Sequence, residues 1–316
     1  LGRASSGTFR TADVVGLDTM AHVIKTLQTT LSLETDPFYG SFDTPAVLTK
    51  LLELGNLGQK TKAGFFKKAG RDVLRFELDS EQYVPAGQKS DEVYARMLKK
   101  PAGDRLKLLR NSEGPQGQFL WAILRNAFHY AAVHLGTIAH TARDVDQAMR
   151  WGFGMKQGPF ELWQEAGWLD VAKMVQEDID AGKALCNAPL PAWVFEGPVA
   201  TSNGGAGGVH SAQGSFNPTT GQFEARRTLP VYSRQLFPEL LLGEAGPDYR
   251  TAGTTLMEDA AIRLWTLDAP GLNDVVIASI KTKMHAISPD VAEGLSQAVD
   301  LAEASYQGVV IWSGDE

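Results

Sequence analysis

Gly158-Pro159-Phe160-Glu161-Leu162-Trp163-Gln164-Glu165-Ala166-Gly167-Trp168-Leu169-Asp170 reads as a second copy of Gly7-Thr8-Phe9-Arg10-Thr11-Ala12-Asp13-Val14-Val15-Gly16-Leu17-Asp18. Phe160 follows Phe9 by 151 residues, and Gly167 follows Gly16 by the same 151. One inserted residue, Trp168, then brings Leu169 and Asp170 into line with Leu17 and Asp18, and Val175 with Val23. Each copy sets a glycine before an aromatic anchor, then a helical stretch, a glycine where that helix stops, and an aspartate able to cap the next helix. A repeat of this size, longer than a solenoid unit, predicts a duplicated helical domain.

Outward from the repeat, helical periodicity runs through Val14, Val15, Leu17, Met20, Val23, Ile24, Leu27 and Leu31, with a break near Gly16. Asp43-Thr44-Pro45 opens a further helix that ends at Gly55, and a short strand is expected at Val73 to Leu78. Ser90 is placed to cap a helix from Asp91. The longest apolar pattern, from about Gln116 to His140, covers more than one helix face and predicts a buried central helix. Thr141 caps the next helix, two more follow over about 159–166 and 168–182, and Pro189 and Pro191 end the helical half. Beyond them the composition turns to Gly, Ser and Asn over Thr201 to Gly214, a linker or insertion expected to be disordered around 201–215. Asn217-Pro218-Thr219-Thr220-Gly221 reads as a hairpin turn between Val209-His210-Ser211 and Gln222-Phe223-Glu224. Strands at Ala261 to Leu267 and Val275 to Lys281, a helix opened by Ser288-Pro289-Asp290, and a strand at Gly308 to Trp312 give the start of an α/β layer.

Composition narrows the function. A net charge of −7 without an offsetting basic block argues against nucleic acid as partner, Lys60 to Lys68 being too short a cluster. The lone Cys186 excludes an internal disulfide and suits a reducing compartment, and no apolar run reaches the roughly 20 residues of a membrane span, so a cytoplasmic location is expected. His129, His134 and His140 share one helix at spacings that turn them off a common face, unlike an i, i+4 zinc pair, and no metal is expected. Cys186 has no base beside it and reads as packing. Both ends read as cut, because the chain opens without methionine and closes on a buried-strand pattern.

Two stretches are candidates for chemistry. Gly58-Gln59-Lys60-Thr61-Lys62-Ala63-Gly64-Phe65-Phe66 is basic, bracketed by glycines and closed by aromatics. One reading is a helix-to-loop turn pinned by aromatic packing. The other is a wall of a substrate cleft built from Lys60, Thr61, Gly64 and Phe65, with Lys60 near phosphates or a carboxylate and Phe65 against an apolar chain. At Lys281-Thr282-Lys283-Met284-His285-Ala286-Ile287 a strand end gives way to a loop, where the Lys283 backbone amide offers half of an oxyanion hole, or simply an ordinary strand-to-helix connection. No catalytic side chain is assigned within the chain.

Gly7 to Asp18 together with Leu57 to Phe66 resembles the C-terminal helical domain of 3-hydroxyacyl-CoA dehydrogenases, and Asp144 to Gly154 with Gly158 to Leu162 resembles a second copy of it. Ile277 to Glu316 resembles the start of an enoyl-CoA hydratase (crotonase) domain, with Lys283-Met284-His285-Ala286-Ile287 at its first oxyanion position. The resemblance implies a mainly α fold: a first dehydrogenase domain at 1–88, a second helical repeat at 89–193, an insertion with a hairpin at 194–260, and a truncated α/β crotonase-like segment at 261–316. It implies a piece of a bifunctional fatty-acid β-oxidation enzyme, with acyl-CoA as substrate and NAD held by a domain outside this chain, so that the chain itself has no turnover. A homodimer and a thiolase partner are the assemblies it admits. A helix preceding Gly7 would then be missing, leaving apolar surface uncovered and favouring self-association. Two other readings stand beside it: a non-catalytic helical assembly module, and the substrate domain of another Rossmann-type hydroxy-acid dehydrogenase. No counterpart of the Lys60 to Phe66 motif is evident in the second repeat.

Overall fold

The computed structural model describes residues 2, 7–87, 91–227, 229–230, 252–269 and 271–313. The chain divides into two compact units, Leu1–Ala245 and Gly246–Glu316. The structure is about 49% helical, and the described residues also form three small sheets.

The first unit begins with α1 (Thr8–Val15) and α2 (Leu17–Thr30). They break at Gly16, whose φ of 108° lies where only glycine is comfortable. α3 (Ala46–Glu53) follows Pro45, and a 3-10 turn at Gln59–Thr61 leads into three antiparallel strands, β1 (Phe66–Ala69), β2 (Asp72–Glu77) and β3 (Gln82–Pro85). The strand expected at Val73 to Leu78 is β2, whereas β1 and β3 carried no signal, because this sheet buries Phe76 and little else and so lacks apolar alternation. Leu17, Leu48, Leu51, Phe65 and Phe76 form the core here.

The second half of this unit holds α4 (Glu92–Met97), α5 (Ala102–Arg110), α6 (Pro115–Ile138), α7 (Ala142–Phe153), α8 (Pro159–Glu165), α9 (Trp168–Asp180) and the short α10 (Gly197–Thr201). Asp91 caps α4 by accepting from the Val93 amide; Ser90 lies outside the described residues. α6 is the buried central helix that its pattern predicts, with Trp121, Leu124, Phe128, Ala132 and Leu135 inside. Around it Phe160, Trp163, Trp168 and Val175 complete a core in which Trp163 stacks on Trp168, their ring centroids 4.4 Å apart.

Residues 201–215 correct the expectation of disorder. Val199, Val209 and Phe216 are fully buried in the same core, and the stretch forms β4 (His210–Ser211) and β5 (Gly214–Asn217), which pair with β6 (Gln222–Glu224). The glycines are there for close approach rather than slack: a Cβ on Gly207 would meet the Trp168 ring at 3.0 Å, and one on Gly208, at φ 135°, would meet Gln164 at 2.3 Å. The hairpin over 217–221 therefore joins β5 to β6, and β4 is a third strand.

The second unit is a four-stranded sheet of order β10-β9-β8-β7, built from β7 (Thr254–Glu258), β8 (Ile262–Thr266), β9 (Val275–Ile280), α11 (Pro289–Ser305) and β10 (Gly308–Trp312). β7, β8 and β9 run antiparallel, whereas β9 and β10 are parallel and joined through α11. Ser288 caps α11 through the Val291 amide, and Ile262, Leu264, Val276, Ala278 and Ala298 fill the layer between helix and sheet.

Candidate functional site

Asp13 organises the turn that holds the candidate residues. Its carboxylate, buried on α1, accepts from the Phe65 and Phe66 amides at 2.8 Å each. Gly64 is obligatory beneath it, since an added Cβ would lie 2.1 Å from the Asp13 Oδ1, and the Gly64 carbonyl accepts from the Tyr83 hydroxyl at 2.6 Å. Thr61 ties the turn to itself by accepting from the Leu57 amide at 2.8 Å and donating to the Ala63 carbonyl. Phe65 is buried with Leu17, Leu48 and Leu51, and its ring lies 4.7 Å from that of Phe9. Lys60 donates to Asp18 at 2.6 Å. Lys60 pulls the Asp18 carboxyl below its usual value, so the pair's contribution is present above the ordinary aspartate range and lost as pH falls through that lowered value. The structure thus brings Lys60, Thr61, Gly64 and Phe65 into one rigid turn, with Lys60 at its rim. It also reassigns Asp18 and Asp170, neither of which caps a helix: they sit in the first turns of α2 and α9 and hold Lys60 and Lys107.

Removing the Asp13 carboxylate leaves two inward-facing amides without an acceptor. Asp13→Ala is expected to lower unfolding free energy by about 2–4 kcal/mol, with Asp13→Asn, which keeps one acceptor, losing about half as much. Urea denaturation measures both, and amide exchange at Phe65 and Phe66 should quicken in step; unchanged exchange would remove Asp13 from this role.

The same arrangement recurs in the second half, where the sequence revealed no counterpart. Gln164 on α8 occupies the place of Asp13, accepting from the His210 amide and donating to its carbonyl, both at 2.9 Å, beneath Gly208. The Val209 carbonyl accepts from the Phe216 amide at 2.8 Å, as that of Phe65 does from Phe76 at 2.9 Å. Phe216 meets Phe223 edge-on across β5 and β6 with centroids 5.9 Å apart, as Phe76 meets Tyr83 at 5.4 Å. No lysine of the Lys60 kind stands at this second turn, where Ser202-Asn203-Gly204-Gly205 precedes it.

Sequence reasoning also missed a fully buried polar row in the second half. Asp146 on α7 accepts from the Phe160 and Glu161 amides at 2.9 and 3.0 Å and lies 2.6 Å from His210 Nε2, while His210 Nδ1 is 3.1 Å from Ser215 Oγ. Burial pushes the Asp146 carboxyl up, with the His210 ring and the two amides pulling it back. Asp, His and Ser in a row suggest a nucleophile relay, but all three are fully buried and Ser215 Oγ accepts from the Arg143 amide, so the row pins α7 and α8 to the sheet. Asp178 forms a further anchor: burial opposes its charge, yet Trp121 Nε1, Arg110 and Arg125 donate to it and hold its carboxyl below the usual range.

The helix histidines each meet a protein acceptor: His129 the Ala188 carbonyl, His134 the Asp36 carboxylate, His140 the Glu224 carboxylate. Burial pushes the Cys186 thiol up, away from thiolate chemistry. Lys283 opens a 3-10 turn at Lys283–His285, with Met284 and His285 both at positive φ, and the His285 and Ala286 amides are used within the turn by Thr282 and Lys283 carbonyls. Among the described residues β9–α11–β10 is the parallel strand–helix–strand unit, and its 281–288 loop has no glycine to admit a pyrophosphate. These residues do not fit NAD.

With this geometry in view, the comparisons with known proteins fall on both halves of the first unit. Residues 3–68 and 119–193 match the C-terminal domain of 3-hydroxyacyl-CoA dehydrogenases. A "Probable 3-hydroxyacyl-CoA dehydrogenase" of Bacillus subtilis is 28% identical over 98% of the chain, and a "Putative fatty acid oxidation complex trifunctional enzyme" of Rickettsia felis is 26% identical over 61%. The chain spans 36% and 25% of the lengths of these two relatives. No solved structure matches. The matched residues include the turn of Lys60 to Phe66 and the α7–α8 junction, and they stop short of β4, β5 and β6.

Proposed function

We propose that this chain supplies the substrate-cleft and packing domains of an NAD-dependent 3-hydroxyacyl-CoA dehydrogenase fused to an enoyl-CoA hydratase, with two copies of one helical domain followed by the start of a crotonase-like layer. The observation that carries the reading is that both halves of the first unit match the dehydrogenase domain and both build the same turn: a side chain from the first helix under a glycine, feeding an aromatic-paired three-stranded sheet. In this reading the copies have diverged in role. The first presents Lys60 at the rim of its turn, suited to a phosphate or carboxylate of an acyl-CoA, with Thr61, Gly64 and Phe65 as the rigid wall behind it. The second packs. Hydride transfer to NAD and the hydratase acid–base groups belong to polypeptide beyond these residues, with the Lys283 amide one of two oxyanion donors. A cytoplasmic location, a homodimer and a thiolase partner go with it.

The test is calorimetric titration of the chain with a 3-hydroxyacyl-CoA and with CoA alone. Binding is expected, weakened about tenfold by Lys60→Ala, which removes one charge-assisted contact, while NADH production from the 3-hydroxyacyl-CoA stays at background. Turnover by the chain would overturn the division of labour. Absence of binding would favour the second reading, a helical assembly module, which the Lys60–Asp18 pair and the buried Phe65 support on their own.

A further inference from the structure

The helices and strands of the first half pack chiefly on one another, as do those of the second, and the loop after α2 reaches across from the one to the other. Phe38 is the peg of this joint. It is fully buried yet stands outside the core of the first half, with its ring against three rings of α6: His129 at 4.8 Å, Tyr130 at 4.9 Å and His134 at 5.7 Å between centroids. Asp36 fixes it there. One carboxylate oxygen accepts from the Phe38 amide at 2.8 Å and lies 3.1 Å from His134 Nε2, while the other accepts from the Tyr130 hydroxyl at 3.4 Å. His129 differs from its neighbours in the socket. Its Nε2 lies 2.7 Å from the Ala188 carbonyl, which only accepts, so the ring proton sits on Nε2 and Nδ1 is bare. Nδ1 is buried and, among the described residues, meets no hydrogen-bond partner. A second proton would place a charge and an unsatisfied N–H in a closed aromatic socket.

The groups around His129 do not relieve that cost. Arg125, one turn earlier on α6, is held by Asp178 and its charge opposes a second one on the ring. Tyr130 and Cys186 are neutral, burial pushing both groups up. Asp36 supplies a carboxylate, but Phe38, Tyr130 and His134 already engage it. His134 faces that carboxylate directly, so a proton there has a counter-charge in the closed joint, unlike one on His129. Burial accordingly pushes the His129 pKa down, with the Ala188 carbonyl pulling it back.

We infer that the socket of Phe38 is an acid-released joint: His129 takes a second proton only when the 33–42 loop swings off α6, so acid frees the first half, with its Lys60 to Phe65 turn, from the second. Because closing the joint lowers the proton affinity of His129, the closed state is fully favoured above the ordinary histidine value of about 6.5 and loses that advantage as pH falls below it. The joint works in this way whichever ligand the Lys60 turn takes.

Hydrogen exchange of the full chain, read by mass spectrometry and corrected for the intrinsic pH dependence of amide exchange, is compared at about pH 7.5 and about pH 5.5. Protection of the 33–42 segment is expected to fall about tenfold between them, the limit for one histidine that stays neutral while the joint is closed, with protection of α6, α9 and β2 unchanged. His129→Gln keeps a donor for the Ala188 carbonyl but takes no proton, and should be equally protected over 33–42 at both pH values. His134→Gln should retain the acid loss. Phe38→Ala empties the socket and should lose protection over 33–42 at both pH values alike, with the 58–66 turn still protected. Equal protection of 33–42 in the parent chain at the two pH values overturns the inference, as does an acid loss that survives in His129→Gln or in Phe38→Ala. An acid loss that spreads to α6 and β2 together overturns it too, since that is acid unfolding of the whole rather than release of a joint. The Phe38→Ala arm keeps the inference open to refutation where the glutamine variant at His129 does not fold.

Discussion

Asp146→Ala is expected to cost about 3–5 kcal/mol of unfolding free energy, the range seen when one member of a buried polar pair is removed and the other is stranded. Three groups lose their acceptor at once: His210 Nε2 and the amides of Phe160 and Glu161. None can turn to water, since Asp146 and His210 are fully buried and the amides belong to the start of α8 under the Trp163 and Trp168 stack. Against a typical total of 5–15 kcal/mol, the variant should be partly unfolded at 37 °C. Asp146→Asn keeps the volume and one acceptor and should fall well short of that loss. Urea denaturation followed by tryptophan fluorescence gives both values; an alanine variant within about 1 kcal/mol of the parent would mean that the row from Asp146 to Ser215 is incidental.

Gly158→Ala is the second large effect, and its cause is purely steric. Gly158 has φ −74°, which alanine adopts freely, so no backbone strain arises. The added methyl would sit 2.3 Å from the Asp146 Cα and 2.1 Å from its Oδ1, and the Cα belongs to the α7 backbone, which no rotamer change can move aside. Separation of α7 from α8 would follow, at about 3 kcal/mol. Gly152→Ala, in α7 with nothing within 4 Å of the added carbon, is the matched control and should be neutral or stabilising by about 1 kcal/mol. A thermal shift series of the two variants separates crowding from any general intolerance of α7.

The helices were legible because their evidence is local. The apolar spacing around α6, the Thr141 cap and the glycines at 16 and 167 each act within a few residues. What escaped was held by contacts between distant segments. The second turn went unnoticed because the repeat offset drifts: 151 residues separate Asp13 from Gln164, 144 separate Gly64 from Gly208, and 140 separate Phe76 from Phe216 and Tyr83 from Phe223. The spacing shortens in the loop before β4 and again between β4 and β5, and where the first turn has an aspartate the second has a glutamine, which accepts from one backbone amide and donates to one carbonyl. The Gly-rich composition of 201–214 then read as slack, when the glycines mark where Trp168 and Gln164 press against the chain. For the candidate site, the sequence pointed to the Lys60 to Phe65 turn, whose residues the structure gathers together, but that Lys60 already holds Asp18 depends on a partner 42 residues away. Asp146 and His210, 64 residues apart, offered no local pattern at all.

β4, β5 and β6 lie past residue 193, where the match to the dehydrogenase C-terminal domain ends, yet Val209 and Phe216 are as deeply placed in the core as Trp163. The edge of the matched domain and the edge of the folding unit are therefore different lines on this chain. A domain trimmed at 193 would expose the Trp168 and Trp193 faces and strand the carboxylate of Asp146 without its histidine. One trimmed after 227 would keep β4, β5 and β6 and the histidine that meets Asp146.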